Sequence, residues 1–200
     1  MLFRSLGNFL VHFGGETLII DLGSGSYTRD YFGARRYEIL VNSSWGHNVP
    51  LVNGCQQSAG SEYAARVLGH SSSPLQDSLD LELAGAYPVE AGLQSLRRTV
   101  TLERKPGTVK VCDAVVFKEE GSYRCPLYTL GDIERSDGGL RFVGKRAVLS
   151  VDFGSPRVAC EIEELDLHDE KFPGPVTRAI LSFPVQETRG ELLLTITGCR

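Results

Sequence analysis

Side chains along most of this chain alternate between apolar and polar. That period of two restricts it to extended strands with one face buried. Leu192, Leu194 and Ile196 share a face near the C-terminus, and Ala147, Leu149, Val151 and Phe153 share another. Val109, Val111, Val115 and Phe117 make a third face, and Thr177, Ala179, Leu181 and Phe183 a fourth. Leu96, Val100 and Leu102 alternate with Arg97, Thr99, Thr101 and Glu103; Val158, Cys160 and Ile162 alternate with Arg157, Glu161 and Glu163. Turn formers separate these runs: Pro106-Gly107, Asp137-Gly138-Gly139, Pro173-Gly174-Pro175 and Arg189-Gly190.

The near-absence of a competing helical period matters as much. Ser61–Val67 is the best short helical candidate, and it reads equally well as a strand. Many strands joined by short turns predict an all-β protein: a large antiparallel two-layer sandwich, supersandwich-like, with little or no helix. Ser71-Ser72-Ser73-Pro74 is the nearest thing to a linker and reads as a loop, so residues 1–200 are expected to form a single domain. Near the N-terminus, Asn8–Phe13 and Thr17–Asp21 flank Gly14-Gly15, a hairpin signal. A two-residue loop there would pair Phe13 with Glu16, His12 with Thr17, Val11 with Leu18 and Phe9 with Ile20.

Charge and composition remove several function classes. Lys and Arg number 21 against 25 Asp and Glu, a net charge of −4, so there is no electrostatic footprint for DNA or RNA. No apolar run approaches the roughly 18 residues that a membrane helix requires. The five cysteines (Cys55, Cys112, Cys125, Cys160 and Cys199) are scattered and form no CxxC pair, which argues against a disulfide framework or a zinc knuckle. The N-terminal apolar stretch is broken by Arg4, Asn8 and His12, so it makes a poor signal peptide, and localisation stays open.

Polar residues crowd the segment 21–57. It holds Asp21, Tyr27, Arg29, Asp30, Tyr31, Arg35, Arg36, Tyr37, Asn42, Trp45, His47, Asn48 and Asn53. Rings mixed with Arg, Asn and His suit a sugar-binding surface: rings cover the apolar faces of pyranoses, and polar groups take hydroxyls and carboxylates. The plainer reading is a glycine-rich loop with solvated charges. Asp21 and His47 are the candidate metal ligands, since carboxylate and imidazole both suit zinc, but two ligands do not complete a zinc site. His12 shares a face with Asp21 in the hairpin, yet lies four residues from the partner position Asn8. That is about 13 Å at the rise of a strand, too far to share an ion.

The residues of this region resemble the C-terminal β-domain of the heparinase II/III-like polysaccharide lyases. The resemblance rests on Leu6-Gly7-Asn8-Phe9, Leu18-Ile19-Ile20-Asp21-Leu22-Gly23 and Gly25-Ser26-Tyr27-Thr28. It continues through Arg36-Tyr37, Asn42-Ser43, His47-Asn48-Val49-Pro50, and Asn53-Gly54 before Gln57. Ala86-Tyr87-Pro88, Glu90-Ala91-Gly92 and Arg98-Thr99-Val100 extend it, and beyond about residue 100 the chain fits only as further strands. The resemblance implies β-elimination of uronic-acid polysaccharides. A base removes the C5 proton, the bond to the C4 oxygen breaks, and an unsaturated sugar remains, with nearby donors neutralising the uronate carboxylate. It also implies a zinc site, with Asp21 and His47 at the carboxylate and second-histidine positions.

The sequence departs from that family at its start. The last glycine of the family's HxHxDxG motif matches Gly7, which puts the zinc-binding His at Phe3 and the catalytic His at Met1. No residue here takes a catalytic role, and the helical toroid that precedes the β-domain in the family is absent from this chain. The expectation is therefore a C-terminal piece of a lyase, inactive alone, with an incomplete zinc site. Its partner would be an acidic polysaccharide. Tyr27, Arg36, Tyr37, Trp45 and Asn48 would line a surface that either binds that glycan or docks the helical domain, self-associating when the domain is missing. The first alternative is a non-catalytic carbohydrate-binding or scaffold module, and the second is a self-sufficient metal-dependent β-sandwich enzyme.

Overall fold

The computed structural model describes residues 5–26, 31, 33, 36–105, 107–184 and 188–199. The described residues form β1 (Val11–Phe13), β2 (Glu16–Ile19), β3 (Leu51–Val52), β4 (Arg66–Ser72), β5 (Gln76–Glu82), β6 (Leu93–Glu103) and β7 (Thr108–Phe117). Then come β8 (Ser122–Thr129), β9 (Asp132–Ser136), β10 (Gly139–Val143), β11 (Val148–Asp152), β12 (Ala159–Leu165), β13 (Val176–Pro184) and β14 (Arg189–Cys199). The described helical residues are single 3-10 turns, so the all-β expectation holds. Residues 61–65 are irregular, and a strand starts at Arg66 where the short helical candidate had been placed.

Eight strands form one antiparallel sheet in the order β4-β5-β6-β7-β14-β11-β10-β9, and four form a second in the order β12-β13-β8-β3. Their inner faces make the main core. Leu96, Val111, Val115, Phe142, Leu149, Val151, Leu194 and Ile196 come from the large sheet, and Tyr123, Cys125, Leu127, Ala179, Leu181 and Phe183 from the small one. These are largely the alternating positions read from the sequence, as expected where each strand has one buried side. Tyr123 and Phe183, neighbours across β8 and β13, stack with ring centroids 4.6 Å apart.

The N-terminal hairpin turns through Gly14 and Gly15, whose φ values of 62° and 86° favour glycine at both positions. Phe13 pairs with Glu16 and His12 with Thr17, as the two-residue loop predicts. Beyond His12 the register slips, and Val11 faces Ile19 rather than Leu18. The extra residue is a β-bulge, and its physical reason is burial. Strict alternation would point one of Leu18 and Ile19 outward, whereas the bulge lets both enter the main core. Ile20 then leaves Phe9 and bridges to Tyr128, its amide donating to the Tyr128 carbonyl at 2.8 Å.

That turn carries the segment after β2 across the outer face of the small sheet, where a second core forms. Ile20, Leu22, Val41, Tyr128 and Val176 are buried in it. Three 3-10 turns, Arg36–Glu38, Leu40–Asn42 and Ser44–Gly46, complete the cover. The polar segment is thus a third layer with an apolar underside rather than a solvated loop.

Candidate functional site

Asp21 and His47 meet where the end of β2 passes the loop after the Ser44–Gly46 turn. His47 is buried, and its Nδ1 lies 2.9 Å from Asp21 Oδ1 and 3.0 Å from Oδ2. The carboxylate also accepts from the Gly23 amide and the Asn8 side-chain amide. Burial pushes the Asp21 carboxyl up, but hydrogen bonds from His47, Gly23 and Asn8 outweigh it and hold the pKa below the ordinary carboxylate value. A carboxylate against Nδ1 fixes the ring and directs Nε2 to other work, as a base or as a ligand. The structure therefore unites the two residues expected to lie together, though the register that unites them is not the unbulged one.

Zinc takes three or four protein ligands in its usual sites. Among the described residues, no group of three or more His, Cys, Asp or Glu side chains could hold a metal ion. Asp21 and His47 satisfy each other directly, so the described residues by themselves do not fit zinc. His12 instead sits beside Thr17, with Nδ1 3.1 Å from its hydroxyl.

The five expected surface residues part company. Tyr27 lies outside the described residues. Arg36 stacks on its neighbour Tyr37, with the guanidinium 4.4 Å from the ring centroid, and both are half-buried. Trp45 is half-buried and has two guanidinium groups against it, Arg178 at 4.6 Å and Arg124 at 5.2 Å. Asn48 lines no surface, being 0% exposed. Its Nδ2 donates to the carbonyls of Phe9 and Ile20 at 2.8 and 2.7 Å, and its Oδ1 accepts from the Tyr128 amide at 3.1 Å. A short amide side chain with both ends engaged ties the hairpin to the small sheet, which is why an Asn expected at the surface is interior.

Other residues that carried the resemblance are framework as well. Gln57 mimics a strand partner for Leu6, accepting from its amide at 2.7 Å and donating to its carbonyl at 2.8 Å. Asn53 accepts from the Ser122 amide and donates to the Ala91 carbonyl. Tyr87 donates its hydroxyl to the Pro50 carbonyl at 2.6 Å.

The sequence reading passed over the Arg98–Asp113 pair, buried between the sheets and directly opposed across β6 and β7. A signal existed: Asp113 interrupts the apolar face of Val111 and Val115, and a charge on such a face asks for a partner. Arg124 and Arg178 were also missed. They lie on the outer face of β8 and β13, and only the path of the third layer brings Trp45 to them.

No protein-family model and no curated protein matches this chain. Solved structures do. The heparan sulfate lyase HepC from Pedobacter heparinus superposes with a TM-score of 0.76 at 14% identity, over 98% of this chain and 30% of that one. Two heparinase III structures give TM-scores of 0.76 at 12% and 16% identity with the same coverage. The fold is thus the β-sandwich found in heparinase III structures. This chain spans 30% of the length of those proteins.

Proposed function

We propose that this chain is the glycan-contacting β-sandwich wall of a uronate polysaccharide lyase of the heparinase II/III type. It contributes to β-elimination without being a self-sufficient enzyme. The observation that carries the reading is the likeness to heparan sulfate lyase over 98% of the chain. The joining of Asp21 and His47 at 2.9 Å, the two positions the sequence resemblance singles out, supports it. In that role Asp21 orients the imidazole, and His47 Nε2 faces a ligand supplied by substrate or by the rest of the enzyme. The abstraction of the C5 proton and the protonation of the leaving C4 oxygen need an acid and a base, and we assign neither to the described residues.

The test pairs a binding measurement with a turnover measurement on the purified chain. Equilibrium dialysis against heparan sulfate and alginate oligosaccharides should show binding that weakens with salt. Ultraviolet absorbance should detect no unsaturated uronate. Turnover that disappears in His47→Ala would make the chain an enzyme in its own right. Failure to bind any acidic glycan would reduce it to a scaffold.

A further inference from the structure

We propose that Trp45 and Arg124 form a subsite for an acidic pyranose, with Arg124 as its charge-reading residue; this rests on the glycan-contacting role proposed above. Two arginines flank Trp45, and their surroundings differ sharply. Arg178 is 8% exposed and committed: Nε and Nη2 donate to Glu163 Oε1 at 3.0 and 2.7 Å, and Nη1 donates to the Tyr128 hydroxyl at 2.9 Å. Its charge is neutralised in place, and its task is to brace the indole. Arg124 is 45% exposed, and its ion pair is with Glu161 at 3.4 Å, a carboxylate that is itself 73% exposed. An exposed pair of that kind is worth little, so an incoming carboxylate or sulfate displaces Glu161 at small cost.

The platform beside Arg124 is rigid. The Tyr128 hydroxyl donates to the Trp45 carbonyl, and Tyr128 belongs to the second core. The backbone of Arg124 is held within the small sheet, where β3 pairs Leu51 with it. A partly exposed indole held against a lightly compensated guanidinium offers a pyranose both things it needs: apolar surface beside the arginines and a planar donor for its acid group. The Ser44–Gly46 turn that carries Trp45 runs straight into His47, so a sugar at this subsite lies on the chain segment that also presents the Asp21–His47 pair.

Trp45 is the only tryptophan, so its fluorescence reports on this site alone. The chain should be titrated with oligogalacturonate, which carries carboxylates without sulfate, with heparin oligosaccharides, and with a neutral cello-oligosaccharide. An acidic ligand should give a saturable change that shrinks with salt, and the neutral one should give none. A response to both acidic ligands assigns the carboxylate, and a response to heparin alone assigns the sulfate; either supports the subsite. Arg124→Ala should weaken the titration by at least about tenfold, as expected for the loss of a charge-assisted contact. Arg124→Lys should retain part of it, and Arg141→Ala, which removes the β10 member of an exposed pair with Glu134 of β9, should leave it unchanged. Thermal melts of each variant confirm folding. Dialysis binding without a fluorescence change, or an Arg124→Ala titration matching wild type, overturns the subsite and leaves the proposed function standing. Absence of acidic-glycan binding by dialysis overturns both.

Discussion

Arg98 and Asp113 form a bidentate ion pair sealed between the two sheets, with Nε and Nη2 of Arg98 donating to the two carboxylate oxygens at 2.7 and 2.6 Å. The remaining nitrogen, Nη1, donates to the carbonyls of Gly7 and Asn48, each at 2.8 Å. Tyr123 donates its hydroxyl to the same carboxylate. One guanidinium thus holds the start of the hairpin and the loop that bears His47. It links the core to the candidate site, which makes Arg98 a positioning residue for Asp21 and His47.

Breaking this pair from one side should be severe. Arg98→Met leaves a buried carboxylate and two carbonyls without their donor, and Asp113→Leu leaves a buried guanidinium. Each should cost about 3–5 kcal/mol, the usual penalty for stranding one member of a buried pair. The double replacement should be less damaging than the sum of the two, because it removes both charges. Urea denaturation of the four proteins measures the coupling, and additive losses would show that the pair does not act as a unit.

Asn48→Ala should destabilise the fold by several kcal/mol. The change strips donors from the carbonyls of Phe9 and Ile20 and an acceptor from the Tyr128 amide, at about 1–3 kcal/mol for each buried polar group left unsatisfied. Thermal melting should fall markedly. A near-wild-type melt together with lost glycan binding would restore Asn48 to the surface role that its residue type first suggested.

The Asp21 carboxyl gives a pH signature. Its folded pKa lies below the ordinary value of 3.8, so its contribution to stability is present above that value and is lost as pH falls through the lowered folded pKa. Asp21→Asn should therefore be less stable than wild type at neutral pH. The gap should close as the solution is acidified from near 3.8 downward. Guanidinium melts of both proteins across that range check it, and a gap independent of pH would mean that the carboxylate charge is not what matters.

The cysteines should sort by burial. Burial pushes the Cys125 thiol up to about 11, partly offset by the nearby Arg98, and the Cys112 thiol likewise to about 11. Cys199 is exposed on the last strand. At mildly alkaline pH, iodoacetamide should label Cys199 first and leave Cys125 untouched until the protein unfolds, since the thiolate is the reactive form. Mass spectrometry of the timed reaction reads the order directly. Early loss of Cys125 would mean that the sheets separate readily around it.

The strands were legible because their information is local. The faces Ala147–Phe153 and Leu192–Ile196 need only period two and flanking turns, and the Gly14-Gly15 dipeptide needs only its neighbours to predict the first hairpin pairs. What the sequence could not fix was every relationship that depends on which surface a segment finally covers. The bulge at Leu18 follows from two apolar side chains competing for one core, a competition that no alternating pattern records. Asn48 and Trp45 lie three residues apart in the same polar stretch, yet one ends fully buried and the other partly exposed against two arginines. Only the packing of the third layer on the small sheet decides which of them finds carbonyls and which finds solvent. The alternation of side chains set the sandwich; the desolvation of particular polar groups, paired across 50 or 80 residues of chain, set the site.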